Sequence, residues 1–381
     1  MLRLFLYIKS CWKDKFYISS FILFVGMSIS PIGQIIGLII ANLLLKNKIV
    51  YFSQGLIKVL MYISFVSFLT IGFTFQEYSK YIQQILVISL LVGQYMSFFR
   101  KYRFFSRSLL LSYLDFCVVI CFYSILNMRG GRATPWGCES GVLGGFIVPA
   151  LAYLIFNNKI INLRFFIIAL CGFLIASPTL NLIFAITVGF KLLFYSKKSF
   201  CKIALFSMMC CVFYLSGNFN VLNETTELSQ ERNEKLGSET IDNIVVLFKD
   251  GKFDKQSMNE STSAFLANAK VAIEAPSRLF GTGLGSHQYS YIDYWGVFGL
   301  NCEDAYSTLV RLYSEFGVIG LIAIFMFLKK NYDTKNEVNN SILLGLIYYL
   351  LRGGQYVLIG FILFIFWYYY SSKKIIVKKV L

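Results

Sequence analysis

The chain has 381 residues, of which 57% are hydrophobic and 15% charged, and it carries a net charge of +16. Soluble domains run at about 45–50% apolar and about 25% charged, so a water-soluble fold is excluded. The basic excess reads as the flanks of membrane helices on their cytoplasmic side, not as a nucleic-acid surface.

The predicted fold is all-α, a polytopic transmembrane helical bundle. Apolar runs give candidate spans at 16–30, 31–45, 56–75, 82–99, 108–127, 141–156, 165–177, 179–195, 201–216, 306–328, 341–351 and 355–370. That is about 12 spans, or as few as about 10, because 16–45, 165–195 and 341–370 each read as one long helix or as a hairpin. The first run follows Lys13, Asp14 and Lys15 without a small-residue cleavage pattern and reads as a retained span. Charge favours three hairpins. With them, most of the 36 basic residues fall on one side, including Lys46 and Lys48, Arg100 to Arg107, Lys197 and Lys198, Lys329 and Lys330, and Lys373 and Lys374. Helix-breaking residues sit at the expected bends: Ser30-Pro31, Ser177-Pro178 and Arg352-Gly353-Gly354. A helix of 15 residues reaches only about 22 Å, short of a ~30 Å hydrocarbon core, so the short hairpins require shielding by neighbours. The nine cysteines have neither metal nor redox spacing, and Cys117, Cys121, Cys171, Cys210 and Cys211 lie inside apolar runs as small hydrophobes.

This layout divides the chain into helices over 1–216, a large periplasmic loop over 217–305 and C-terminal helices over 306–381, with both termini cytoplasmic. The loop is acidic and amide-rich from Asn223 to Asp254. Ser261-Thr262-Ser263 predicts the cap of a helix running to Ala275, with Phe265, Leu266, Ala269, Ala272 and Ile273 on one face. Pro276 ends it, and Arg278-Leu279-Phe280-Gly281-Thr282-Gly283-Leu284-Gly285 follows. The alternate glycines predict a tight backbone turn. Because they follow a helix and not a strand, they do not make a dinucleotide fingerprint. Beyond Glu303-Asp304-Ala305-Tyr306, the next helix carries Arg311 and Glu315 into an apolar run. Ionisable groups at such a depth face a cavity or a partner, and here an i,i+4 pair would also hold the helix end.

Three segments together resemble the O-antigen and capsule polysaccharide polymerases, the Wzy family, within the O-antigen ligase/polymerase group. They are Arg278 to Gly285 after a short helix, Asp304-Ala305-Tyr306 with Leu309, and Ser314-Glu315-Phe316-Gly317-Val318-Ile319-Gly320. The likeness covers residues 260–330; elsewhere it is one of hydropathy, with Gly130-Gly131-Arg132 and Arg352-Gly353-Gly354 added. Glu260-Ser261 and Pro178 stand where the family often has arginine, and Glu303-Asp304-Ala305 stands where ligases tend to carry a His-Asn pair. The resemblance implies a metal-independent, cofactor-free glycosyltransferase of the bacterial inner membrane. Its substrate would be an oligosaccharide on undecaprenyl diphosphate, moved onto the non-reducing end of another lipid-linked repeat unit. Partners would be membrane lipid and a chain-length regulator protein, with no nucleic acid. Arg129, Arg132, Arg278, Arg311 and Arg352 all fall on the predicted outer side, and guanidinium groups suit a diphosphate leaving group. His287, Asp304 or Glu139 would take the acceptor proton. Cys138 and Cys302 fall on the same, oxidising side and are expected either to pair or to stand as two separate thiols. A ligase is one rival reading. A flippase is the other, although the sequence lacks the repeat-related halves that alternating access uses.

Overall fold

The structure is a computed structural model and describes residues 13–75, 77–128, 133, 135, 140–160, 162–175, 180, 183–184, 186–189, 191, 260–274, 279–296, 302–303, 305–354, 356 and 360–373. The described residues are helical with no strand among them. Among the described residues, four helices are long and apolar enough to cross a membrane: α3 (Gln54–Thr74), α4 (Ser79–Phe99), most of α5 (Tyr102–Leu126) and α10 (Thr308–Lys330). Shorter helices fill the bundle: α1 (Lys15–Ile29), α2 (Pro31–Leu44), α6 (Ser140–Phe156), α7 (Leu163–Leu174), α11 (Glu337–Leu351) and α12 (Phe361–Ser372). Two further helices, α8 (Glu260–Glu274) and α9 (His287–Trp295), belong to the long hydrophilic stretch. The predicted span at 201–216 and most of the loop lie outside the described residues.

The first and last ambiguous runs are hairpins. Ser30 ends α1 in an extended conformation and then caps α2, its Oγ accepting from the Gly33 N–H at 3.0 Å. Pro31 occupies the first turn of α2, where a missing N–H costs nothing. Gly26 and Gly33 face each other so closely that a Cβ on either would enter the other's carbonyl, so the two helices meet backbone to backbone. In the middle pair, α7 ends at Leu174, residues 176–179 lie outside the described set, and helix is found again between 180 and 191.

The core is aromatic. Phe24, Tyr113, Phe116, Phe146, Phe364 and Trp367 are buried and in mutual ring contact. Gly144 and Gly145 leave room for the rings of Tyr348 and Tyr349, which draws α6 onto α11. Below this core Arg164 of α7 pairs with Asp115 of α5 at 2.6 Å, and Tyr17 of α1 donates to the same carboxylate at 2.9 Å. By contrast α3 stands at the rim: only 11% of its apolar window is buried, and Met61, Phe65 and Phe73 point outward, as suits a helix in contact with lipid. Cys117, Cys121 and Cys171 are buried within the apolar cluster.

The helix predicted after residue 260 is present, and its inner face matches the expected one in part. It begins at Glu260, so Ser261 to Ser263 lie in its first turn. Its buried residues are Ala264, Leu266, Ala267, Asn268, Lys270, Val271 and Ala272, so Leu266 and Ala272 of the expected face lie inside, while Phe265 and Ile273 are exposed. Small residues meet the neighbouring elements, with Ala267 and Val271 against Tyr291 and Cys302, and Ala272 against Ala305 and Val310.

Candidate functional site

The alternate-glycine segment does not form an isolated turn; it is spliced into α10. Gly317 has φ 61° and ψ −158°, which breaks that helix. A helix broken there leaves carbonyls and N–H groups without intrahelical partners. The loop supplies them. The Thr282 N–H donates to the Ser314 carbonyl at 3.0 Å, the Gly283 N–H donates to the Glu315 carbonyl at 2.8 Å, and the Leu279 carbonyl accepts from the Ile319 N–H at 3.3 Å. Gly281 has a left-handed φ of 71°, and a Cβ there would overlap the backbone of Glu315 and Phe316. Gly283 lies against α3 at Ser67, Thr70 and Ile71, and Gly285 against the Lys80–Tyr81 backbone of α4. Each glycine therefore rests on a different helix.

The N-terminal end of α10 is tied to the end of α11. Ser307 Oγ donates to the Leu350 carbonyl at 2.8 Å, Thr308 Oγ1 to the Gly353 carbonyl at 2.6 Å, and the Gly353 N–H to the Tyr306 carbonyl at 3.0 Å. Ala305 and Tyr306 both hold left-handed φ values, 58° and 61°. A non-glycine residue there costs about 1–3 kcal/mol, and such strain collects at functional sites.

Arg311 sits where these elements meet and is 3% exposed. Its Nε donates to Glu315 Oε1 at 2.9 Å, Nη1 to the Gly354 carbonyl at 3.1 Å and Nη2 to Gln84 Oε1 of α4 at 2.9 Å. The Tyr356 ring covers the guanidinium at 4.6 Å. Above it opens a polar cleft of about 240 Å³, lined by Lys80, Gln83, Gln84, Gln288, Glu303, Arg311 and Tyr356, with Pro31 and Val87 as apolar walls. At its rim Lys80 pairs with Glu303 at 3.2 Å. Both cations of the cleft thus have a carboxylate beside them, and the remaining polar lining is three amides and a phenol.

Behind the cleft lies a fully buried row of polar side chains. His287 Nδ1 is 2.9 Å from Ser314 Oγ, and its Nε2 is 2.8 Å from Asn268 Oδ1. Asn268 Nδ2 donates to the Ala264 carbonyl at 2.7 Å, so its oxygen faces the ring. His287 therefore carries its proton on Nε2, and Nδ1 accepts from Ser314. Burial, with the Arg311 charge adding to it, pushes the imidazole down to about 3, so the ring is neutral.

No family model, curated protein or solved structure matches this chain. The site is therefore described by its own geometry. Of the residues expected from the sequence, Arg311 lines the cleft, and Arg352 lies beside it with its guanidinium 5.6 Å from the Tyr306 ring. His287 lies behind it with both nitrogens engaged. Arg129, Arg132, Glu139, Arg278 and Asp304 lie outside the described residues, as does Cys138; Cys302 is buried against α8 and α9. No cluster of three or more His, Cys, Asp and Glu side chains able to hold a metal occurs among the described residues. Sequence reasoning missed Gln84, Gln288, Tyr356 and Asn268. One signal was present: Lys80, Gln83 and Gln84 recur at i, i+3 and i+4, which puts three polar side chains on one face of an otherwise apolar helix.

Proposed function

We propose that this chain is a repeat-unit polymerase of the O-antigen or capsule type. It would transfer a growing glycan from undecaprenyl diphosphate to the non-reducing end of another lipid-linked repeat unit. In this reading the chain has about 12 spans in the bacterial inner membrane, both termini are cytoplasmic, and the cleft opens on the periplasmic side. One observation carries the reading. The segments that bear the resemblance are far apart in sequence, yet Gly281 to Gly283, Tyr306, Arg311 to Gly317 and Gly353-Gly354 are joined by hydrogen bonds, and Arg311 among them lines a polar cleft. Arg311, with Arg129, Arg132, Arg278 and Arg352, is proposed to meet the diphosphate, where charge develops as the sugar departs. Asp304 and Glu139 remain proposed proton acceptors. His287, neutral and doubly bonded, is assigned instead to holding α8, α9 and α10 in register.

The test is the length distribution of the surface polysaccharide in a strain lacking the gene. Loss of long chains with a single repeat unit retained is the expected pattern, whereas loss of every repeat would indicate a ligase or a flippase. In complementation, Arg311→Ala should abolish long chains at a normal membrane level, with a rate loss of roughly 10²–10³-fold for one preorganised donor. Arg311→Lys should also be impaired, because an ammonium cannot reproduce the planar fork. Wild-type chain lengths from Arg311→Ala would remove the arginine from the mechanism.

A further inference from the structure

The two ion pairs at this cleft are held very differently. The side chains of Arg311 and Glu315 are 3% and 0% exposed, and each guanidinium nitrogen donates to a protein acceptor. Separating that pair would strand a buried charge. Lys80 and Glu303 are 36% and 64% exposed and meet through one contact, Nζ to Oε1 at 3.2 Å. An exposed pair of this kind contributes little to stability and is screened by salt, so its partners exchange readily. The backbone beneath Lys80, by contrast, is fixed. A Cβ on Gly285 would stand only 3.2–3.3 Å from the Lys80 and Tyr81 backbone. Beside it, Ser79 Oγ is 3.3 Å from the Tyr289 hydroxyl of α9. Gln84 follows one turn along α4, in the same cleft lining, and its Oε1 accepts from Arg311. The group its amide offers a ligand is therefore the NH2.

We propose that Lys80 is the contact for the substrate's diphosphate at the rim of the cleft, and that Glu303 holds its place until the diphosphate displaces it. The inference rests on the polymerase reading and names a binding residue and an exchange device within that site. Lys80 is the cation suited to this. Its ammonium has three donors on a flexible stem, one of them bonded to Glu303, and it is far more exposed than Arg311. A diphosphate carries more negative charge than one carboxylate and offers several acceptor oxygens. It can therefore engage Lys80 and the Gln84 amide together, over the buried Arg311 charge, where Glu303 engages Lys80 alone. Release of Glu303 strands no buried charge, because that side chain is already mostly in solvent. Until then the carboxylate neutralises Lys80 and excludes anions too weak to displace it.

Binding of inorganic diphosphate to the purified protein in detergent, at one fixed ionic strength, reads the contact directly. Lys80→Gln should weaken it by roughly tenfold or more, the worth of a hydrogen bond to a charged group. Glu303→Gln should tighten it by up to about fivefold, the worth of an exposed ion pair. Lys329→Gln, which removes the same charge from the last turn of α10, should bind as the wild type does. In the deletion strain, Lys80→Gln should lose long chains at a normal membrane level, and Glu303→Gln should keep them. Where Lys80→Gln lowers the membrane level, the binding gain in Glu303→Gln decides. Wild-type affinity in Lys80→Gln, an equal loss in Lys329→Gln, or unchanged or weaker binding in Glu303→Gln overturns the inference. Weakened binding in Lys80→Gln with fully restored chain length also overturns it, since the site would then hold free diphosphate and not the substrate; the polymerase reading would stand. If the deletion leaves chain length unchanged, the polymerase reading fails and takes the inference with it.

Discussion

Replacing Gly281 with alanine should be among the most damaging single-methyl changes in this protein. Two separate penalties coincide there. The residue holds φ 71°, and forcing an L-residue into the left-handed region costs about 1–2 kcal/mol. The added Cβ also enters the Glu315–Phe316 backbone, which has no flexible end to swing aside, and overpacking of this kind costs about 1–3 kcal/mol. The sum is about 2–5 kcal/mol, and relief by moving the loop would break the Thr282 and Gly283 bonds to α10. Two controls separate the terms. Gly296 has φ 70° with open space around its Cβ position, so Gly296→Ala meets only the conformational penalty. Gly55 is helical and open, so Gly55→Ala should be neutral or stabilising by up to about 1 kcal/mol. Thermal unfolding of the three purified variants in one detergent gives the comparison, and the expected order of midpoints is Gly55→Ala, then Gly296→Ala, then Gly281→Ala. A Gly281→Ala midpoint equal to or above that of Gly296→Ala would refute the claim that the loop is wedged against the helix break.

Stability should also fall on acidification through His287. Its folded value lies below that of the unfolded chain, so its contribution is complete above about pH 6.5 and is lost as pH drops toward 3, amounting to about 2 kcal/mol by pH 5. Unfolding midpoints measured between pH 7 and 5 should show this slope, and His287→Gln should flatten it; an unchanged slope would mean that another group titrates. Elsewhere in the bundle, Asp115→Leu should destabilise by about 1–3 kcal/mol, because Arg164 and Tyr17 both lose the carboxylate they bond to. The double variant Asp115→Leu with Arg164→Met should recover most of that loss. A double variant as unstable as the single would show that the pair does more than compensate its own burial.

The helices were legible in the sequence where an apolar run ended on chemistry that stops a helix. Ser30-Pro31 marked the first hairpin because one serine can close one helix and cap the next. Arg352-Gly353 marked the last for a similar reason, with Gly353 at φ 97°. The segment His287 to Trp295 was not legible as a helix. Of its four buried residues, His287, Gln288 and Ser290 are polar and only Tyr291 packs in an apolar cluster, so no apolar period announced it. The inner face of α8 was read correctly at Leu266 and Ala272 but not at Phe265 and Ile273, whose places are taken by Ala264, Ala267 and Val271. In the site, the Arg311–Glu315 pair could be read from i,i+4 spacing. Gln84 and Gly354 could not, since they reach Arg311 only through the tertiary fold. Tyr356 was visible as a residue but not as the ring that covers Arg311, because that contact too is made only by the tertiary fold.

The break in α10 also bears on how the chain is made. A spanning helix normally satisfies its own backbone as soon as it enters the bilayer. This one cannot, because the carbonyls of Ser314 and Glu315 and the N–H of Ile319 await residues 279–283. Those residues leave the ribosome first and must lie beside the break for the helix to be completed. Completion of α10 is therefore coupled to the placement of residues 279–283 beside the break at Gly317.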